Sequence, residues 1–140
     1  SALKVDFTTE SELKYSAIQT FNEPIYLHQV VARNADGTHT HYADLPQALA
    51  NWNANQEEWR VHFHVPLFTK SYGLLDSTQS DIVNTLAIHA RKPFSPFLEV
   101  ETYTWGVLPE DMQKPMDESI VRELEWVQLI LNQTNTSTLF

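Results

Sequence analysis

"WRVHFHVPLF", residues 59–68, decides how the chain reads. It is a run of β-formers with two histidines set two apart. In a strand, residues two apart share a face. Val61, Phe63 and Val65 then form an apolar face, and His62 and His64 project from the other. "FLEVETYTW" (97–105) repeats the pattern, with Leu98 and Val100 opposing Glu99, Glu101 and Tyr103. "IYLHQVVAR" (25–33) sets Leu27 and Val31 against Tyr26, His28 and Val30.

Helical patterns separate these stretches. Leu13, Ala17, Ile18 and Phe21 recur at helical spacing and predict a helix over 10–21. "NADG" (34–37) is a turn signal, and "THTHYADL" (38–45) can pair back as a hairpin arm. Asp44 before "LPQALANW" reads as an N-cap, with Pro46 in the first turn of a short helix. Thr78 and Asp81 make a T-x-x-D capping pattern ahead of a helix over 77–92, with Ile82, Val83, Leu86 and Ala90 as its stripe. A last helix over 117–131 turns Ile120, Val121, Leu124, Val127 and Leu131 inward, and residues 132–140 form a polar, fraying tail.

Strands alternating with helices predict βαβ units and a parallel sheet. An open doubly wound sheet buries both strand faces and reads as apolar throughout. These strands carry one polar face each. A closed barrel accounts for that, with apolar faces turned to the helices and polar faces to the lumen. "SALKV" (1–5) adds one more strand. Four strands cannot close an eight-stranded barrel. The predicted fold is therefore α/β: a TIM-barrel fragment, a half barrel of about four βα units with a β-hairpin insertion, over residues 1–131. Such a fragment needs the N-terminal half of its own barrel, or self-associates as a homo-oligomer to cover its open edges.

Composition excludes several classes. The 140 residues carry a net charge of -9, with no basic cluster, which argues against nucleic acid as a partner. At 42% hydrophobic the chain can fill a core. It has no cysteine, which removes disulfides and thiolate metal sites and fits a cytoplasmic, reducing setting. No apolar run approaches the ~18–20 residues of a membrane span. Walker, dinucleotide-binding and Ser-His-Asp patterns are absent.

The chemistry sits on the polar faces. Buried imidazoles and carboxylates are costly unless paired or metal-bound, and convergent His and carboxylate groups suit Zn²⁺, Mn²⁺ or Mg²⁺. His64, nearer the strand end, is the better acid–base candidate, with His62 beside it. Glu99 reads as a deeper helper or as an ion pair with Arg60 or Lys4. Lys4 is a candidate substrate contact, and Tyr103 and Trp105 are candidate stacking platforms for a flat ligand. His89, near a helix C-terminus, reads as structural. "GLLDSTQ" (73–79) is a weak phosphate-loop pattern at a helix start.

Taken together, "SALKV", "YLHQVVA", "DLPQALA", "WRVHFHVPLF", "LEVETYTWGVLP" and "SIVRELEWV" resemble the C-terminal half of ebo-type bacterial metabolite traffic proteins. These are xylose-isomerase-like TIM barrels related to sugar-phosphate isomerases and epimerases. The resemblance implies a divalent metal (Zn, Mn or Mg) at strand ends. Glu101 in "VETY" matches the family's last-strand glutamate. A strand-end histidine matches His28 or His64, and His41 resembles the histidine of the hairpin. The family's first-half ligands lie outside this chain, so the chain alone is expected to be inactive. The function implied is a metal-dependent sugar or sugar-phosphate isomerase or epimerase acting on a small-molecule substrate. Two alternatives are a non-catalytic metabolite carrier and a metal-dependent phosphoester hydrolase.

Overall fold

The computed structural model of the chain describes residues 1–100 and 115–136. Among the described residues six strands form one sheet: β1 (Leu3–Asp6), β2 (Val30–Asn34), β3 (His39–Tyr42), β4 (Gln56–Val61), β5 (Ser71–Tyr72) and β6 (Leu75–Ser77). The helices are α1 (Ser11–Gln19), α2 (Leu45–Ala50), α3 (Gln79–Arg91) and α4 (Met116–Thr136). The strand order is β3-β2-β4-β1-β6-β5, and every neighbouring pair is antiparallel.

This overturns the half barrel. The error lies in adjacency. β1 and β2 both run antiparallel to β4, so they point the same way, as a helical crossover requires. β3 and β4 both run antiparallel to β2 and again share a direction. Two strand–helix–strand units are present, β1-α1-β2 and β3-α2-β4, but in each a third strand is inserted between its two strands, which makes split βαβ units. The alternation of elements specifies direction and leaves neighbours open. The argument for an N-terminal half of the barrel, and for self-association to replace it, rested on the barrel and goes with it.

One sheet face is buried. Leu3, Val5, Val30, Ala32, Trp59 and Val61 line it, and Ile18 of α1 and Leu45 and Ala48 of α2 cover it. The Tyr15 hydroxyl donates to the Leu49 carbonyl (3.1 Å) and ties the two helices together. The other face is polar. Lys4, Arg60, Val31 and His41 lie in one row across β1, β4, β2 and β3. A bulge at Arg33/Asn34 leaves Glu57 without a Cα partner. Gln56 and Trp59, three apart, therefore both point inward. Gln56 satisfies the buried indole, accepting from Trp59 Nε1 at 2.9 Å, and donates to the Tyr42 hydroxyl at 2.8 Å.

Local chemistry explains the other departures. The strand predicted at 25–33 begins only at Val30, because side chains take its first N–H groups. Glu23 accepts from Ile25 and Tyr26, and Asp44 accepts from His28. Ile25 and Leu27 are left 68% and 69% exposed. In α1, Lys14 and not Leu13 is buried, because its ammonium donates to the Asp6 carbonyl (2.7 Å) and to Thr9 Oγ1 (3.0 Å). The capping box at Thr78 does not form. Thr78 Oγ1 accepts from Ala2 N instead, and Asp81 pairs with Arg60 at 2.7 Å. Among the described side chains of α4 the buried residues are Ser119 and Glu123, while Val121 and Leu124 face solvent. The expected tail is helical as far as Thr136. Residues 97–100 are not a strand, and the rest of that predicted strand lies outside the described residues. The turn at 34–37 forms as expected, with Gly37 at φ +82.

Candidate functional site

The site grows from the end of β4. The ladder stops at Val61, yet the alternation of burial runs on. Val61, Phe63 and Val65 are buried, His62 is exposed and His64 half-buried. The inward side chains hold the segment down, and His62 N–H donates to the Gln29 carbonyl at 2.8 Å. Phe63 fixes the position, packing edge-on to Phe21 (5.3 Å) and stacking on His28 (4.4 Å).

The two outward imidazoles meet. His62 Nε2 and His64 Nε2 lie 3.1 Å apart, and the rings are 4.8 Å apart and tilted. A contact between two ring nitrogens needs a proton on one of them. Gln29 Oε1 lies 3.0 Å from His62 Nδ1 and accepts its proton. In the neutral pair, His62 Nε2 is then the acceptor and His64 Nε2–H the donor. The Gln29 amide thereby sets the tautomer of both rings.

These imidazoles open onto a cavity of about 390 Å³. Glu99 and Glu123 stand on its wall, with Val65, Leu67, Ile82 and Val100 supplying apolar surface. Glu123 is only 4% exposed. Its Oε1 accepts the Leu67 N–H at 2.9 Å, which docks α4 onto the loop after β4. Burial raises the pKa of this carboxyl, against the pull of the Leu67 N–H and of the Ser1 α-ammonium, which lines the same cavity. Sequence reasoning missed both Glu123 and Gln29. Glu123 looks like any acid of an amphipathic helix, and only its spacing of four from Ser119 hints at a shared buried face.

His62, His64 and Glu99 thus line one cavity. The other sequence candidates do not join them. His28 is 2% exposed in the core. Its Nε2 meets Glu23 Oε1 at 2.6 Å and its Nδ1 faces the His62 carbonyl at 3.4 Å, so both ring nitrogens are engaged. Burial opposes ionisation of Glu23, but the Ile25 N–H, the His28 ring and the Tyr26 N–H together hold it below the usual carboxylate range. His41 is exposed on the edge strand β3, opposite Val31. The expected pairing of His28 with His41 around a metal is therefore not formed. Lys4 pairs with Glu58 at 3.2 Å on the polar sheet face. Arg60 pairs with Glu58 and Asp81, so neither base serves Glu99. Glu101, Tyr103 and Trp105 lie outside the described residues. Among the described residues no three His, Asp or Glu side chains converge to hold a metal ion.

The weak phosphate-loop pattern is also resolved. Leu75–Ser77 form β6, a hairpin partner of β5 through Gly73 (φ +62). The N–H groups of Ser77, Thr78 and Gln79 bond to Lys70 O, Ala2 O and Ser77 Oγ. They are committed within the fold and do not form an anion cradle.

Compared with protein-family models, curated proteins and solved structures, the chain matches none. Among the described residues, no helix is long and apolar enough to cross a membrane.

Proposed function

We propose that this protein binds a small metabolite in the cavity beside His62 and His64, as a binding module or carrier. One observation carries the reading. Four titratable side chains from three separate segments (His62 and His64, Glu99, Glu123) border a single cavity with an apolar wall. Its volume falls in the ~300–1,000 Å³ range of small-molecule pockets. A few polar groups on apolar walls is the usual composition of such pockets. The test is a ligand-observed NMR screen with neutral sugars, polyols, amines and carboxylates. It is run on the wild-type chain and on a His62→Ala/His64→Ala variant. Hits that vanish in the variant support the reading. Hits that bind the variant equally well would refute it.

The His62–His64 contact favours a second reading, proton transfer on a bound sugar or polyol, as in an isomerase or epimerase. A histidine pair whose tautomer is set by Gln29 can give a proton from one ring and take one on the other. The readout is exchange of a substrate C–H for deuterium in heavy water. No exchange with any bound hydroxy-carbonyl ligand would leave the protein a carrier.

A further inference from the structure

We propose that His62 and His64 form a two-histidine site for a divalent transition-metal cation of the class that imidazole prefers, such as Zn²⁺. The geometry is that of two ligands on one ion. Two nitrogens held ~2.0–2.1 Å from one Zn²⁺ lie roughly 3.0–3.4 Å apart. His62 Nε2 and His64 Nε2 lie 3.1 Å apart. The ring centroids are 4.8 Å apart, nearer than two rings meeting head-on at that separation can be, so the rings do not both point along the line between the nitrogens. A hydrogen bond favours that line, whereas two ligands of one ion are both turned off it. Imidazole nitrogen suits Zn²⁺, Ni²⁺ and Cu²⁺, while Mg²⁺ and Ca²⁺ take oxygen. The set differs from the one the family resemblance implied. It takes in His62, which that resemblance leaves out, and needs none of His28, His41 and Glu101.

Two further observations support a built site. The first is Gln29. Its Oε1 lies 3.0 Å from His62 Nδ1 and holds the proton there, which leaves Nε2 as the basic nitrogen. A metal-bound histidine is commonly fixed in this way, by an acceptor on its other ring nitrogen. On binding, the His64 proton moves from Nε2 to Nδ1 through solvent, so neither ring changes charge. The second is the frame beneath the pair. Val61, Phe63 and Val65 are buried, and the His62 N–H donates to the Gln29 carbonyl at 2.8 Å. The backbone under both histidines is therefore fixed before an ion arrives, and little ordering is left to oppose binding. Among the described residues no third His, Asp or Glu completes a ligand group with the pair. The remaining coordination positions are left to water or to a ligand in the cavity that both rings line.

The test uses the bare ion on the whole chain, so it stands apart from the metabolite reading: either can fail while the other holds. Chelator-stripped protein is titrated calorimetrically with Zn²⁺, Mg²⁺ and Ca²⁺ near neutral pH. One Zn²⁺ per chain is expected to bind, with no heat from Mg²⁺ or Ca²⁺. His62→Ala and His64→Ala should each weaken Zn²⁺ by at least about tenfold. Both rings point away from the core, so these variants should keep the wild-type circular dichroism. Gln29→Leu removes the acceptor but no ligand, and should weaken Zn²⁺ by about tenfold; Gln29→Glu keeps an acceptor and should restore binding. His39→Ala/His41→Ala is the control, because it removes the same H-x-H spacing from the edge strand β3. It should leave the affinity unchanged. The proposal is overturned by no Zn²⁺ binding, by binding lost only in the control, or by equal affinity in wild type and a His62→Ala/His64→Ala variant.

Discussion

Phe63→Ala should be among the most damaging single substitutions in this chain, and its neighbour His62→Ala among the mildest. The Phe63 ring is fully buried, set edge-on to Phe21 and stacked on His28. Truncation removes a ring from the junction of α1, the loop before β2 and the segment after β4. Phe→Ala changes in cores cost ~3–5 kcal/mol, and lost aromatic contacts place this one near the middle of that range, at about 4 kcal/mol. For a domain of this length each kcal/mol shifts Tm by roughly 3–4 °C, so a fall of about 12–16 °C is expected. His62 lies one residue away and is exposed. Removing its ring breaks contacts to Gln29 and His64 at the surface, and should cost no more than ~0.5 kcal/mol. Urea unfolding with fixed m-values, together with thermal melts, measures both. A Phe63→Ala cost below about 1 kcal/mol would refute the period-two placement of this segment. So would a His62→Ala cost equal to that of Phe63→Ala.

Three further outcomes follow from the same geometry. Glu23 is more acidic in the folded state, so its contribution is full above the ordinary carboxylate pKa of 4.5 and is lost as pH falls through the lower folded value. Glu23→Gln should therefore cost ~1–3 kcal/mol at neutral pH, and the gap to wild type should close in acid, as followed by urea unfolding across pH. Glu123 has the opposite sign: its folded pKa is raised, so its stabilising effect is present in acid and lost as pH rises through the folded value. Glu123→Gln should match wild type at low pH and become the more stable protein as pH rises; a stability gap that does not change with pH would count against the burial of that carboxyl. Gly37→Ala meets no atom within 4 Å, so its whole cost is the positive φ of +82, about 1 kcal/mol in a chemical melt.

How much could be read beforehand depended on the range of the interaction. The turn at Asn34–Gly37 forms as predicted because the backbone conformation it needs is supplied within four residues. The inward alternation of Val61, Phe63 and Val65 holds even where the ladder has stopped, because burial acts on each side chain and does not require a paired strand. The strand predicted at 25–33 failed for a short-range reason. Glu23 and Asp44 captured its N–H groups, and no hydrophobic pattern registers such competition. The buried face of α4 failed for a long-range one. Glu123 turns inward because Leu67, 56 residues earlier, offers it an unpaired N–H.

Periodicity in the chain determined that strands and helices alternate as far as β4, which of those strands share a direction through their crossovers, and that His62 and His64 project from the same side of one segment. These follow from backbone geometry and from the preference of apolar groups for the interior, both of which act over a few residues. Which strands lie side by side was settled only in the folded sheet. β4 comes between β1 and β2, and β2 between β3 and β4, so a predicted parallel barrel became an antiparallel sheet. The gathering of Glu99 and Glu123 around the histidine pair was settled there too. Adjacency depends on contacts between residues tens of positions apart, and such contacts leave no periodic mark along the chain.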